Sequence, residues 1–229
     1  MRHFLVLLRY DGKNGFSQSR VYLLNLLLIL FISGCIHLFS DWWTLLNGFL
    51  LYSTLNYIFR DFDKLGVRLL TQAGKRWQWW LSKCIWIGSY ILVCYGLIYL
   101  VGSLMNGMDG DYLFAPMTLR YFYVSEKVTV LQVTPLMIVV PLVLTLLLNL
   151  IQMTAALFVK PGFAFAISFI LIIVSDFLTY FFEPERFLYY EQKGMPVEDQ
   201  WILLLGLCVL CGIFILCGCR GFKKYDILN

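Results

Sequence analysis

Six continuous apolar runs constrain this chain more than any other feature: residues 21–39, 42–59, 84–105, 133–159, 163–182 and 201–219. Each is about long enough to carry a helix across a hydrocarbon core of roughly 30 Å, at about 1.5 Å per residue. A soluble domain of 229 residues has no interior that could hide them all. Charged residues make up 14% of the chain and hydrophobic residues 60%, where soluble domains are roughly 25% charged. Lipid must therefore be the solvent for much of the surface. The runs are apolar throughout and do not alternate, which excludes barrel strands and requires helices, the only other element that satisfies its own backbone in lipid. The expected fold is an all-α membrane protein of six transmembrane helices.

The basic residues orient it. Arg2, Arg9, Lys13, Arg20, Arg60, Lys64, Arg68, Lys75, Arg76, Lys83, Lys160, Arg220, Lys223 and Lys224 fall in one alternating set of connecting segments. Only Arg120, Lys127, Arg186 and Lys193 fall in the other. Lysine and arginine favour the cytoplasmic side, so both termini are expected inside. The net charge of +4 would also fit nucleic acid or anionic lipid, but its segregation fits topology, and no nucleic-acid partner is expected. Spans one and two are separated by Ser40-Asp41, and spans four and five by Lys160-Pro161-Gly162, so both pairs are tight hairpins. Trp42, Trp43, Trp77, Trp79, Trp80 and Trp201 stand near the ends of the runs and read as interfacial anchors.

Chemistry is sparse. Cys35, Cys84, Cys94, Cys208, Cys211, Cys217 and Cys219 lie mostly inside the apolar runs. That placement implies no disulfide framework, and Cys208-x-x-Cys211 reads as packing before it reads as a zinc site. The sequence Ile32-Ser33-Gly34-Cys35 resembles a lipoprotein cleavage box, but the apolar run continues beyond it, so the first helix is expected to be uncleaved. Gly74-Lys75 has Leu69 where a phosphate-binding loop needs glycine. His3 and His37 are isolated from each other, and Asp41, four residues after His37, makes only a weak pair. No catalytic, cofactor or metal site is expected in this chain.

Polar residues inside the runs are the remaining candidates. Asp176 is the embedded carboxylate; an ion at a helix centre costs about 2.5–3.5 kcal/mol on insertion scales, so it either lines a path or reaches water near the headgroups. Asn25, Asn47, Asn56, Asn149 and Gln152 have helix packing as their default role. Pro135 and Pro141 are expected to bend the fourth span. Outside the runs, residues 1–20 mix Phe4, Leu5, Val6, Leu7, Leu8 and Phe16 with basic residues, the pattern of an amphipathic helix lying in the inner interface. The loop 60–83 places Leu65 and Leu69 beside Lys64 and Arg68, giving a helix with an apolar and a basic edge. Such a helix either docks a soluble partner or is a solvated topogenic loop. The outer loops 106–132 and 183–200 carry aromatic clusters suited to covering helix ends.

The amphipathic entry, the six spans and the stretch Gly74-Lys75-Arg76-Trp77-x-Trp79-Trp80-Leu81-Ser82-Lys83 resemble permease subunits of ABC-2 type ABC exporters. So does the ending Phe222-Lys223-Lys224-Tyr225-Asp226-Ile227-Leu228. The likeness covers the whole chain in layout and two short stretches in residues. It implies a multi-pass subunit of the cell membrane, such as a bacterial plasma membrane, and a cytoplasmic tail over 220–229. The resemblance makes 60–83 a coupling helix, with Asp63, Lys64, Arg68, Lys75 and Arg76 as its contacts to a separate ABC ATPase subunit. ATP and Mg would be bound by that subunit, and a second permease, identical or homologous, would complete the path. Asp176, Asn149 and Gln152 become candidate path residues. Members of the family often carry two re-entrant helices between spans five and six. Residues 183–200 leave room for about one, at about 1.5 Å per residue, which favours a peptide or hydrophobic compound over a lipid-linked polymer as cargo. The alternative is a stand-alone secondary transporter or channel, which would show inverted repeats and more midplane charge. An intramembrane enzyme would need facing acidic or histidine pairs, which the sequence does not supply.

Overall fold

The computed structural model describes residues 2–16, 42–55, 57, 76–105, 130–182 and 197–224. Among them are six helices and no strands: α1 (Arg2–Phe16), α2 (Trp42–Ser53), α3 (Arg76–Met105), α4 (Val130–Ala156), α5 (Pro161–Phe182) and α6 (Val197–Lys224). Three segments are long and apolar enough to cross a membrane: Arg76–Leu97, Val139–Ala156 and Trp201–Phe222. A shorter apolar stretch, Pro161–Val174, lies in α5. The chain thus has the character of a membrane protein. The expected first span, loop residues 60–75 and most of both outer loops fall outside the described residues.

Local chemistry explains where the helices start and stop. α2 ends at Ser53, although the apolar run continues to residue 59. The Leu50 carbonyl accepts from Ser53 Oγ at 2.7 Å and from the Thr54 amide at 3.2 Å. The next bonds, Leu55 N to Tyr52 O and Tyr57 N to Thr54 O, tighten the chain into turns. α3 begins at Arg76, eight residues before the apolar run, because no glycine or proline interrupts its first turns. The segment from Arg76 to Lys83, expected as loop, is therefore continuous with the span. α5 opens on Pro161, whose missing N–H falls where no helical partner exists; the Lys160 carbonyl accepts from Phe163 N at 2.9 Å and Ala164 N at 3.1 Å. α4 stays helical through both Pro135 and Pro141.

Contacts between helices fix their relative directions. Thr145 meets Asn47 and Asn149 meets Thr54, so α2 and α4 run the same way. Cys211 approaches Val143, and Gly221 approaches Leu157 and Phe158, so α6 shares that direction. Gly88 faces Leu146 while Tyr95 reaches Pro141, so α3 runs opposite to α4. Gly48 faces Phe169 and Tyr52 meets Phe165, so α5 is opposite to α2. From α2 to α6 each helix therefore reverses the one before it.

α4 is the hub, packed against α6, α5, α3 and α2. Its apolar window is 61% buried, whereas that of α6 is 17% buried and exposes Ile202, Leu205, Val209 and Leu216. An apolar face of this kind suits lipid rather than water. α1 lies on the opening turns of α3. It buries Leu7 and Asp11, one turn apart, and exposes Leu5, Val6 and Arg9.

Candidate functional site

Two polar constellations are built into the bundle. The first gathers at the end where α3 begins and α6 finishes. Ser82 Oγ and Lys83 Nζ each donate to a different oxygen of the Asp11 carboxylate. The side chains of Lys83 and Asp11 are 1% and 3% exposed, so this ion pair is desolvated. The ammonium also stands 4.6 Å from the Tyr57 ring centroid and 5.3 Å from that of Trp79, within the range of cation–π attraction. Trp79 in turn stacks on Phe222 of α6, with centroids 4.3 Å apart. One lysine thus ties α1, the turn after α2, the start of α3 and, through Trp79, the end of α6.

Two of the expected interfacial anchors are therefore core residues: Trp79 is 2% exposed and Trp80 fully buried. Trp80 lies against Gly218, where the missing side chain lets the α6 backbone approach the indole closely. Trp77 and Trp201 do stay exposed. The aromatic run reads identically for both fates, and only the presence of α6 separates them.

The second constellation is a neutral seam. Asn47, Leu51 and Thr54 on one side of α2 meet Thr145, Asn149 and Gln152 on α4, each set at the spacing of a single helix face. Thr145 Oγ1 donates to Asn47 Oδ1 at 2.7 Å and shares a hydroxyl bond of 2.7 Å with Tyr95 of α3. Thr54 Oγ1 donates to Asn149 Oδ1 at 2.7 Å, and Asn149 Nδ2 to the Thr145 carbonyl at 2.9 Å. Gln152 Nε2 reaches the Leu51 carbonyl at 2.9 Å. Interhelical hydrogen bonds in lipid average about 0.6 kcal/mol and reach about 1.7. Thr145→Val removes two of them, so a loss of about 1–2 kcal/mol is expected in reversible unfolding from mixed micelles. Unchanged stability would show that neither bond contributes to holding α2 and α3 on α4.

No protein-family model, curated protein or solved structure matches this chain. The reading of the site rests on its geometry.

The residues singled out from sequence divide as follows. Asp63, Lys64, Arg68 and Lys75 lie outside the described residues. Arg76 is the first residue of α3 and is exposed at the same end as the Asp11–Lys83 pair. Asn149 and Gln152 are buried together in the seam, where they bind α2 to α4. Asp176 belongs to α5, one turn beyond Ile172, and its side chain lies outside the described residues. Asp11, Ser82, Lys83, Thr145 and Tyr95 were not legible as a site. Asp11 did carry a signal, because it sits four residues after Leu7 on the apolar face of α1. Among the described residues no three His, Cys, Asp or Glu side chains converge as metal ligands. Cys211 is buried with its thiol 3.9 Å from the Val143 carbonyl, while Cys208 and Cys217 face outward.

Proposed function

We propose that this chain is the membrane-spanning permease subunit of an ABC-2 type exporter, with six spans, both ends cytoplasmic, and a separate ATPase docked on its basic end. The supporting observation is the gathering of cations. Cations whose side-chain exposure is described include Arg9, Arg76, Lys83, Lys160 and Arg220. They belong to α1, the start of α3, the turn between α4 and α5, and the end of α6. The alternating helix directions bring all of these to one end of the bundle. Cytoplasmic faces of membrane proteins are basic in this way. Arg9, Arg76, Lys160 and Arg220 are exposed, available to an acidic partner surface. A rigid start to α3 would pass a push at Arg76 directly into a span. The push transmits energy only if the contact differs between the ATP-bound and empty states.

Co-purification tests the reading. Full-length chain tagged and drawn from its native membrane should bring down a nucleotide-binding ATPase, and Lys75→Glu with Arg76→Glu should abolish that association while the permease still folds. Recovery of folded permease with no ATPase, or unchanged capture by the charge-reversed variant, defeats the proposal. Orientation is read separately with impermeant thiol reagents. Lys160→Cys, at the exposed turn between α4 and α5, should label only from the cytoplasmic side.

A further inference from the structure

α1 presents two opposite faces. On one, Leu7 joins the main apolar core and Asp11, one turn on, bonds Ser82 and Lys83 of α3. On the other, Arg9 is exposed together with Leu5 and Val6, which are 57% and 53% exposed. At about 100° of rotation per residue, the two sets centre on opposite sides of the helix axis. Arg2 and Lys13 stand in the register of the outer set, three residues before Leu5 and four after Arg9.

The charge of the outer face has one sign. Asp11 is the single carboxylate in the sequence of α1, and it is buried and neutralised by Lys83. The depth of the helix is set by the same pair. Lys83 lies about 10 Å along α3 from Arg76, where the segment long and apolar enough to cross a membrane begins. α1 is therefore held beside the end of a span, at the level where acyl chains give way to headgroups. A face that mixes leucine and valine with cations, and carries no acid, matches an anionic bilayer surface at that level.

We propose that the outer face of α1 binds anionic phospholipid, with Leu5 and Val6 in the acyl boundary and Arg9, flanked in register by Arg2 and Lys13, against the headgroup phosphates. A zwitterionic lipid would cover Leu5 and Val6 equally well but would bring no net counter-charge to the cations. Each basic residue close to an anionic membrane surface adds attraction worth about fivefold in affinity. The Asp11–Lys83 pair serves this surface twice, since it fixes α1 at the right depth and withdraws the carboxylate that would repel the headgroups. The surface does not depend on which transporter class the chain belongs to. It assigns Arg9 to lipid and leaves Arg76, Lys160 and Arg220 to the partner ATPase.

Photo-crosslinking tests this on the full chain in nanodiscs of phosphatidylcholine and phosphatidylglycerol. A trace of one lipid or the other carries a diazirine near its headgroup, and adducts are counted on peptides covering residues 3–9. The phosphatidylglycerol probe should label these peptides at least about fivefold more than the phosphatidylcholine probe. Salt at about 0.5 M should remove most of that excess, because exposed charges are screened. The triple variant Arg2→Gln/Arg9→Gln/Lys13→Gln should erase the preference, and Arg9→Lys should keep it. The salt arm needs no variant, so the test stands if the triple variant fails to fold. Equal labelling by the two probes, a preference untouched by salt, or no lipid adduct on α1 overturns the proposal. ATPase capture is scored separately, so failure here leaves that reading standing.

Discussion

Lys83→Met is expected to destabilise the folded chain by about 3–5 kcal/mol, the cost of leaving a buried charge without its partner. The replacement has nearly the same volume, so packing against Tyr57 and Trp79 is largely kept and the charge is what is lost. The stranded group is the Asp11 carboxylate, with Ser82 left to donate to it among the described residues. Asp11→Leu should cost a similar amount from the other side. The double variant Asp11→Leu/Lys83→Met should be far milder, neutral or even stabilising by about 1–4 kcal/mol, because an apolar pair has no desolvation cost to offset. Lys160→Gln, at an exposed position, should stay within about 0.5 kcal/mol of the parent. Unfolding in mixed micelles gives all four values. A single Lys83 variant as stable as the parent would mean that the pair is not desolvated. The same variants should speed tryptic cleavage at Arg9, since α1 is pinned to α3 at this point and a helix released from its contacts opens locally.

The second large effect is expected at Gly218. A Cβ added there would fall inside the indole of Trp80, which is fully buried against α6. Gly218→Ala should therefore cost about 1–3 kcal/mol through overpacking, despite the better helix propensity of alanine. Gly206 and Gly212 lie on the same helix, and a methyl group at either would meet nothing within 4 Å. Alanine at either should be neutral or gain up to about 1 kcal/mol. Combining Gly218→Ala with Trp80→Leu should recover part of the loss, because the shorter side chain vacates the contact. If Gly218→Ala and Gly212→Ala are equally stable, α3 and α6 do not meet as the structure has them.

How much of this could be read from residues depends on the kind of information involved. Length and apolarity of a run are properties of the run alone, so α3, α4 and α6 were legible from their composition. Helix ends were read less well. The apolar run through residue 59 gives no warning that Ser53 and Thr54 turn back onto the Leu50 carbonyl, and the basic stretch before Cys84 looks like loop although its residues are compatible with helix. Among the expected site residues, Asn149 and Gln152 stood out as polar atoms in an apolar run, but their partners on α2 did not.

What the sequence determined by itself was a helical, lipid-compatible chain whose cations are segregated between alternating connections, because hydropathy and charge act on each segment separately. Only the tertiary structure decided that Lys83 is paired with Asp11, that Trp80 rests on Gly218 and that Thr54 bonds Asn149. Each of these joins residues on different helices, and its energy exists only once two helices have been brought within contact distance. No local pattern carries it.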